Sequence, residues 1–555
     1  GSIPASLGNL RNLAELLLGG NNFSDPLLPL VANLTQLVSL EVSNTQVAGP
    51  LPSQVSGFPN LAILFLSNCL INGTIPSWVF TLPSLRSLDL SYNNFTGHIN
   101  DFQSNSLKMI DLSHNKLQGT IPSSIFRLVN LTFLSLASNY LSGTIEQLPW
   151  KYTQYLYLRS NLFHGPLPVP PPTTIVFSMS NNNFTGDIPP LVCKASILQV
   201  LDLSDNSLSG AIPQCLGNFS SLRTITFNGN ELEGPTPKSL ANCKELEVLD
   251  LGNNKLSDTF PYWLENLPKL HVLILRSNRF HGPIATSKAE FPFPSLRVID
   301  ISYNNFSGPL PTKYFKNFEA MRNVDEANFK LQYMGETYYH NSVTVTIKGS
   351  IFEMQRLLTI FIAIDFSKNK FEGEIPMLIG NLNSIRGLNL SHDNLSGHIP
   401  TSLGNLSKLE WLDLSSNKLT GEIPRQLTTI TTLEVFNVSQ NHLSGPIPRG
   451  NQFDAFPNDS YSGNFGLCGL PLSKKCNNFE APPMISQQED ESCSEFDWKV
   501  ILMGYACGTV FGLAMGYLMF STGKPKWLVR IIEPHNNRRR RSNKHAGNNR
   551  RGKRN

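Results

Sequence analysis

The side chains best suited to chemistry come in a row. Asp89, Asp111, Asp202, Asp250, Asp300, Asp365 and Asp413 each stand in LDLS or a close variant, and Glu41 holds the equivalent place in LEVS. Paired carboxylates can shuttle protons or hold a cation. Here each acid returns with the motif around it, which points to a repeat-structural or solvated role on a concave face. Four apolar residues break the row and stand as candidate ligand contacts: Phe65, Tyr157 and Ile274 at the acid position, and Trp411 two positions earlier in its repeat. Large apolar and aromatic anchors are favoured at recognition surfaces. The chain has no GxGxxG, P-loop, HExxH or GxSxG, and none of its eight cysteines shows CxxC spacing. No catalytic residue, metal site or cofactor is expected.

The elements that must position these residues follow one template, LxxLxLxxN. It starts at 13, 37, 61, 85, 107, 131, 153, 174, 198, 222, 246, 270, 296, 361, 385, 409 and 433, with intervals clustering at 24. LRSLDLSYN (85–93) and LEWLDLSSN (409–417) are clear cases, each followed by a variant of LSGxIPxxLxxL. This is the signature of a leucine-rich-repeat solenoid, an α/β fold in which stacked units bury one another's apolar faces. The LxL pair points inward from a short strand and the residue between points to the concave side. Stacking predicts one parallel sheet with an irregular or 3-10 convex side. The ninth-position asparagine, as in Asn93, Asn206 or Asn417, is suited to satisfying backbone groups in the bend after the strand. Gly-x-Ile-Pro, as at Gly119 to Pro122, turns the chain toward the convex side. Thr45 and Asp393 replace the ladder asparagine and can still hydrogen-bond; Cys69 also replaces it and reads as a buried structural thiol. The proline-rich PLPVPPPTT in the repeat from 153 should disturb the convex layer and leave the sheet intact.

One interval breaks the period: 65 residues separate the starts at 296 and 361. The extra segment, taken as 312–360, is rich in aromatics, among them Tyr333, Tyr338 and Tyr339, and contains VTVTIKGS, whose alternation reads as a strand. Toward the C-terminus, Val500 to Phe520 is a 21-residue run without a charge, long enough for one membrane crossing. Trp498 and Trp527 bracket it. Acids precede it, and residues 521–555 hold 12 Lys or Arg against one acid, so the tail is read as cytoplasmic. That local +11 leaves −7 for the preceding 520 residues of a chain whose net charge is +4. The tail's basic runs suit anionic lipid, with nucleic-acid binding as the alternative. Gly504, Gly508, Gly512 and Gly516 form a stripe of overlapping GxxxG motifs, the surface against which a partner helix packs closely. Thirteen N-x-S/T sequons, at Asn22, Asn33, Asn72, Asn94, Asn130, Asn183, Asn218, Asn305, Asn389, Asn394, Asn405, Asn437 and Asn458, all precede the run, consistent with an extracellular glycoprotein face. A glycan at Asn389 or Asn437, which share the acid position, would obstruct the concave surface. Cys193 and Cys215 lie on the convex halves of adjacent repeats, where a disulfide is feasible, with Cys243 a competitor for Cys215. Cys493 is left free or interchain.

The IPxxLGxLxxL convex half, read with GLCGLPL at Gly466 to Leu472, Cys476, the acidic juxtamembrane stretch, the glycine-striped run and a short basic tail, resembles the plant leucine-rich-repeat receptor-like proteins, the kinase-lacking receptors of the Cf disease-resistance type. The resemblance implies a cap disulfide between Cys468 and Cys476, an island domain at 312–360 contributing to ligand or co-receptor contact, and an adaptor receptor kinase at the transmembrane helix. It also implies a single-pass plasma-membrane protein, not an enzyme, that binds an extracellular peptide, protein or elicitor and signals in defence. A developmental receptor of the same build and a membrane-tethered inhibitor of secreted cell-wall-degrading enzymes remain alternatives. The expected division is repeats over 1–311, island 312–360, repeats 361–456, cap 457–480, acidic linker 481–499, transmembrane helix 500–520 and basic tail 521–555. Because GSIPASLGNL reads as the back half of a repeat, a further N-terminal piece is expected.

Overall fold

A three-residue strand can bury little alone, so each LxL unit depends on its neighbours. The computed structural model describes residues 3–476 except 25–30, 32, 56–57, 146–147, 286–288, 323–342, 348–349, 355–357 and 359. Seventeen short strands pair in parallel from Glu15–Leu17 to Val435–Asn437, one for each template start. The central side chain of each strand is buried, and most, such as Leu88, Leu201 or Leu412, wholly so. The acid row lies at the last strand residue, as in Ser87–Asp89, rather than at the strand centre expected from the template.

The ladder residues hold successive turns together. Asn417 Nδ2 donates to the carbonyls of Leu390, Leu414 and Ser415 at 2.8, 3.2 and 3.2 Å, and its Oδ1 accepts from Leu395 N at 3.0 Å. One side chain thus satisfies four backbone groups, two of them in the preceding repeat. The three replacements keep only part of this pattern. Cys69 Sγ donates to the carbonyls of Val42 and Ser67, both at 3.5 Å, and Cys69 is a buried free thiol as expected. Thr45 Oγ1 lies 3.2 Å from that sulfur and accepts from Val47 N at 3.4 Å. Asp393 Oδ1 accepts from Asn369 N and Phe371 N, while its buried Oδ2 has no partner.

Five-residue 3-10 helices such as Gln214–Asn218 and Thr401–Asn405 follow the proline of the GxIP turn on the convex side. Each such proline sets φ near the helical value where no backbone donor is needed. Gly119 occupies φ +83°, a backbone conformation that favours glycine. A second layer of parallel strands, not expected from the template, follows the ladder; among the described residues it has eight from Ala48–Pro50 to Ser207–Ser209, two at Glu233–Gly234 and Lys255–Leu256, and seven from His281–Pro283 to Gly466–Cys468. In the proline-rich repeat no helix forms between Pro166 and Val176, yet Tyr155–Tyr157 still pairs with Val176–Ser178.

The 65-residue interval does not interrupt the sheet. Val298–Asp300 pairs directly with Ala363–Asp365, and Asn369 Nδ2 reaches Ile301 O at 3.1 Å across 68 residues of sequence. The first part of the interval belongs to the solenoid: Thr312–Asn317 is a helix, Tyr314, Phe315 and Phe318 are buried, and Tyr314 OH donates to Glu265 at 3.1 Å. The VTVTI segment, Val343–Ile347, forms an antiparallel hairpin with Ser350–Met354. Phe436, Phe453, Phe456 and Tyr461 cluster under the cap. Cys468–Cys476 and Cys193–Cys215 are disulfides. Cys243 is buried and free, donates to Leu216 O at 3.4 Å, and has its thiol pKa pushed up to about 11 by burial. Tyr333, Tyr338, Tyr339, Cys493, the run at 500–520 with its four glycines, and the tail lie outside the described residues. Among the described residues no helix is long and apolar enough to cross a membrane.

Candidate ligand-binding surface

The carboxylate row is anchored to its own turns. Asp89 Oδ1 accepts from both the N–H and the hydroxyl of Ser91 at 2.9 and 2.7 Å, and Asp111, Asp300, Asp365 and Asp413 repeat the arrangement with the serine two residues on. Asp202 goes further, also accepting from Ser178, Ser180 and Thr226. Asp202, Asp250, Asp300 and Asp365 are buried. Burial pushes the carboxyls of Asp250 and Asp365 up to about 7 and that of Asp111 to about 6; Asp300 is also raised. These groups hold turns, and their buried oxygens are not presented to a solute. Among the described residues no group of three or more His, Cys, Asp or Glu is placed to hold a metal ion.

The residues that break the row fare unequally. Phe65 lies between Glu41 and Asp89 in the register and is half-buried. Tyr157 is half-buried between Ser135 and Ser178, and burial raises its hydroxyl pKa. Ile274, between Asp250 and Asp300, is 0% exposed and offers no contact surface. Trp411 is 4% exposed, because Gly387 in the preceding strand leaves room for its ring and Phe361 stacks on it at 6.0 Å. These two are thereby corrected from ligand anchors to floor residues.

An aromatic cluster missed from the sequence surrounds Tyr157. Phe133 lies 6.1 Å from Tyr155 and 5.8 Å from Tyr157, all three half-buried on the concave side, with Val176 and Val200 extending the apolar strip. Phe133 and Tyr155 are at the first strand position, where Trp411 also sits; scanning that position in every repeat would have found them. Along one edge, eighth-position residues take left-handed backbone. Tyr92 (φ 52°) stacks on His114 at 4.0 Å. Nearer the insertion, the Lys368 ammonium lies 4.0 Å over the Tyr303 ring and donates to its hydroxyl. Burial and then Lys368 hold the neighbouring His392 below the usual histidine range.

Such a surface, an unbroken concave sheet with half-buried aromatics and an inserted segment, is that of a leucine-rich-repeat solenoid. The leucine-rich-repeat family matches at residues 60–82, 84–105, 106–128, 198–219, 295–315, 384–406 and 408–430, with a second repeat profile at 228–280. Receptor-like protein Cf-9 of Solanum pimpinellifolium is 51% identical over 256 residues, 45% of this chain and 30% of that protein; Receptor-like protein 34 of Arabidopsis thaliana is 51% identical over 269 residues, 47% and 28%. The chain carries leucine-rich repeats and, over the matched part, is homologous to plant receptor-like proteins of the Cf-9 type. It spans about 30% of the length of the curated relatives it matches. Among solved structures, the ectodomain of the Arabidopsis receptor kinase GASSHO1/SCHENGEN3, in complex with CASPARIAN STRIP INTEGRITY FACTOR 2, superposes with TM-score 0.73 at 32% identity, covering 86% of this chain and 52% of that one. The Arabidopsis receptor kinase HAESA, in complex with the peptide hormone IDA and the co-receptor SERK1, gives 0.64 at 29%, covering 85% and 77%.

Proposed function

We propose that this chain is a single-pass plasma-membrane receptor that reads an extracellular peptide, protein or elicitor on its repeats and island, and signals in plant defence through a recruited kinase. The observation that carries the reading is the half-buried aromatic cluster of Phe133, Tyr155 and Tyr157 on the concave sheet, in a chain that is 51% identical over 256 residues to a receptor-like protein. Phe65 and the island residues Tyr333, Tyr338 and Tyr339 are the further proposed contacts. The peptide and co-receptor complexes of GASSHO1 and HAESA support ligand and partner-kinase roles by analogy, and they equally suit a developmental peptide receptor of the same build. An inhibitor of secreted cell-wall-degrading enzymes would instead act without a kinase.

Kinase recruitment is assigned to the glycine stripe, since small residues admit a second helix at van der Waals distance. Changing Gly504, Gly508, Gly512 and Gly516 to Leu together should lower co-precipitation of an adaptor receptor kinase from membranes severalfold while leaving chain abundance unchanged. Unchanged co-precipitation would sink the recruitment role. Inhibition of a polygalacturonase by the repeat region alone would favour the inhibitor reading.

A further inference from the structure

The C-terminal end of the solenoid carries a cavity of about 760 Å3 that ligand reading on the concave face does not use. Its walls come from three elements: the 3-10 helix Arg425–Thr429, the turn at Pro446–Arg449, and the disulfide loop ending at Cys476. Four cations line it, Arg425, Arg449, Lys474 and Lys475, and all are exposed. Arg449 is 3.4 Å from Asp454, whereas Arg425 and Lys475 have no ion-pair partner among the described residues. Beside them stand two large apolar groups with little cover. Phe465 is 93% exposed and Leu470 63%. Leu470 lines the cavity, and Lys474 Nζ donates to the main-chain carbonyl of Phe465 at 2.7 Å, which holds that residue's backbone beside the cations.

Exposed phenylalanine and leucine are costly in water, and here they stand beside four cations. The combination suits a phospholipid surface, where apolar side chains enter the headgroup boundary and lysine and arginine meet phosphates. The cap is also the described part closest in sequence to the apolar run, Cys476 preceding Val500 by 24 residues. We propose that the cap face formed by Phe465, Leu470, Arg425, Arg449, Lys474 and Lys475 docks on the phospholipid bilayer surface, with headgroup phosphate in the cavity. This deepens the plasma-membrane reading and rests on it for biological relevance.

The test uses residues 1–477, which form a compact unit with its own continuous core and closed cap. Flotation with phosphatidylcholine vesicles, with and without phosphatidylglycerol, measures partition. The unit should float with both and more strongly with phosphatidylglycerol. R425S and K475S should each lower partition about fivefold, as expected for one cation near a charged surface. F465S/L470S should lower it on both vesicle types, and since these side chains are exposed, unchanged melting would show that the fold is intact. Absence of flotation, or flotation indifferent to both sets of changes, would overturn the proposal. So would competition by millimolar inorganic phosphate that abolishes binding to both vesicle types, because the cavity would then be a soluble-anion site. Failure here leaves kinase co-precipitation through the glycine stripe untouched, so the two readings fail separately.

Discussion

A single atom decides whether a ladder residue works. In the asparagine ladder Nδ2 faces carbonyl oxygens, so putting an oxygen there, as Asp393 does, sets acceptor against acceptor unless that oxygen carries a proton. Burial, followed by the charge of Asp365 among the raising causes, pushes its carboxyl up to about 7, against two backbone donors that favour the ionised form. D393N supplies the missing donor at every pH. It should stabilise the repeat region by about 1–3 kcal/mol at pH 8, the usual penalty of an unpaired buried polar group, and by much less at pH 5; paired thermal melts check this, and equal gains at both pH values would refute it. The same atom-level reasoning applies to sequons. Asn389 is half-buried, its Nδ2 donates to Asp365 at 3.1 Å and to Ser367 Oγ at 3.2 Å, and its Oδ1 accepts from Ser391. A glycan on that nitrogen would displace these bonds, so glycopeptide mass spectrometry of the secreted chain should find Asn389 unoccupied and exposed sites such as Asn22, Asn183 and Asn394 modified. The ladder substitutions at 45, 69 and 393 were legible because a side chain's donor and acceptor inventory is local. The burial of Trp411 was not, because it depends on Gly387, 24 residues earlier and one strand over.

Elements show the same division between what repeats and what does not. Seventeen template starts become seventeen strands because the inward leucines are the dominant buried groups and their period is explicit. The second layer escaped notice since its strands are only two to five residues long, most with a single buried apolar residue and a glycine, as in Asn94–Gly97 or His442–Pro446, too short for an alternation to read. Likewise, the start of the insertion could not be set at 312 by period alone: Tyr314 and Phe315 are core residues of the repeat before it. Between convex elements, the Cys193–Cys215 bridge joins the 3-10 helices Pro190–Lys194 and Gln214–Asn218, with Cα atoms 6.0 Å apart. It closes a loop of one repeat, for which chain-entropy arguments give about 3 kcal/mol. C193S/C215S should lower stability by about that amount without loss of the parallel sheet, read from chemical denaturation alongside circular dichroism. A variant as stable as the parent would mean that stacking of Val192 and Leu216 already fixes the two repeats.

Summed over the whole repeat stack, the buried carboxylates make stability a function of proton concentration. Asp111, Asp250, Asp365 and Asp393 have folded-state values of about 6, 7, 7 and 7 against 3.8 for an exposed aspartate, burial being the first cause in each. A group whose folded pKa is raised holds more protons in the native state, so its contribution is complete below the unfolded value and is lost as pH climbs through the folded one. His114 and His392 act in the opposite sense, since burial lowers both, but they are only partly buried and lie at the edge of the sheet. The four carboxyls outweigh two half-solvated imidazoles, and the window of loss runs from about pH 4 to about pH 7. The melting temperature of residues 1–477 should therefore fall steadily from pH 5 to pH 8. The D250N/D365N/D393N variant should flatten most of that slope, because an amide keeps the accepting oxygen that meets Gly252, Ser367 and Phe371. A melting temperature that rises with pH would show that these carboxyls ionise freely in the folded chain, and the turn-holding role would then have to be carried by their ionised form. Because neighbouring repeats share the ladder and the sheet, loss at the carboxyls of adjacent strands, Asp300 and Asp365, weakens the stack where the insertion leaves it. The transition should consequently broaden as pH rises, with the repeats on either side of the insertion separating in calorimetry before those nearer the ends.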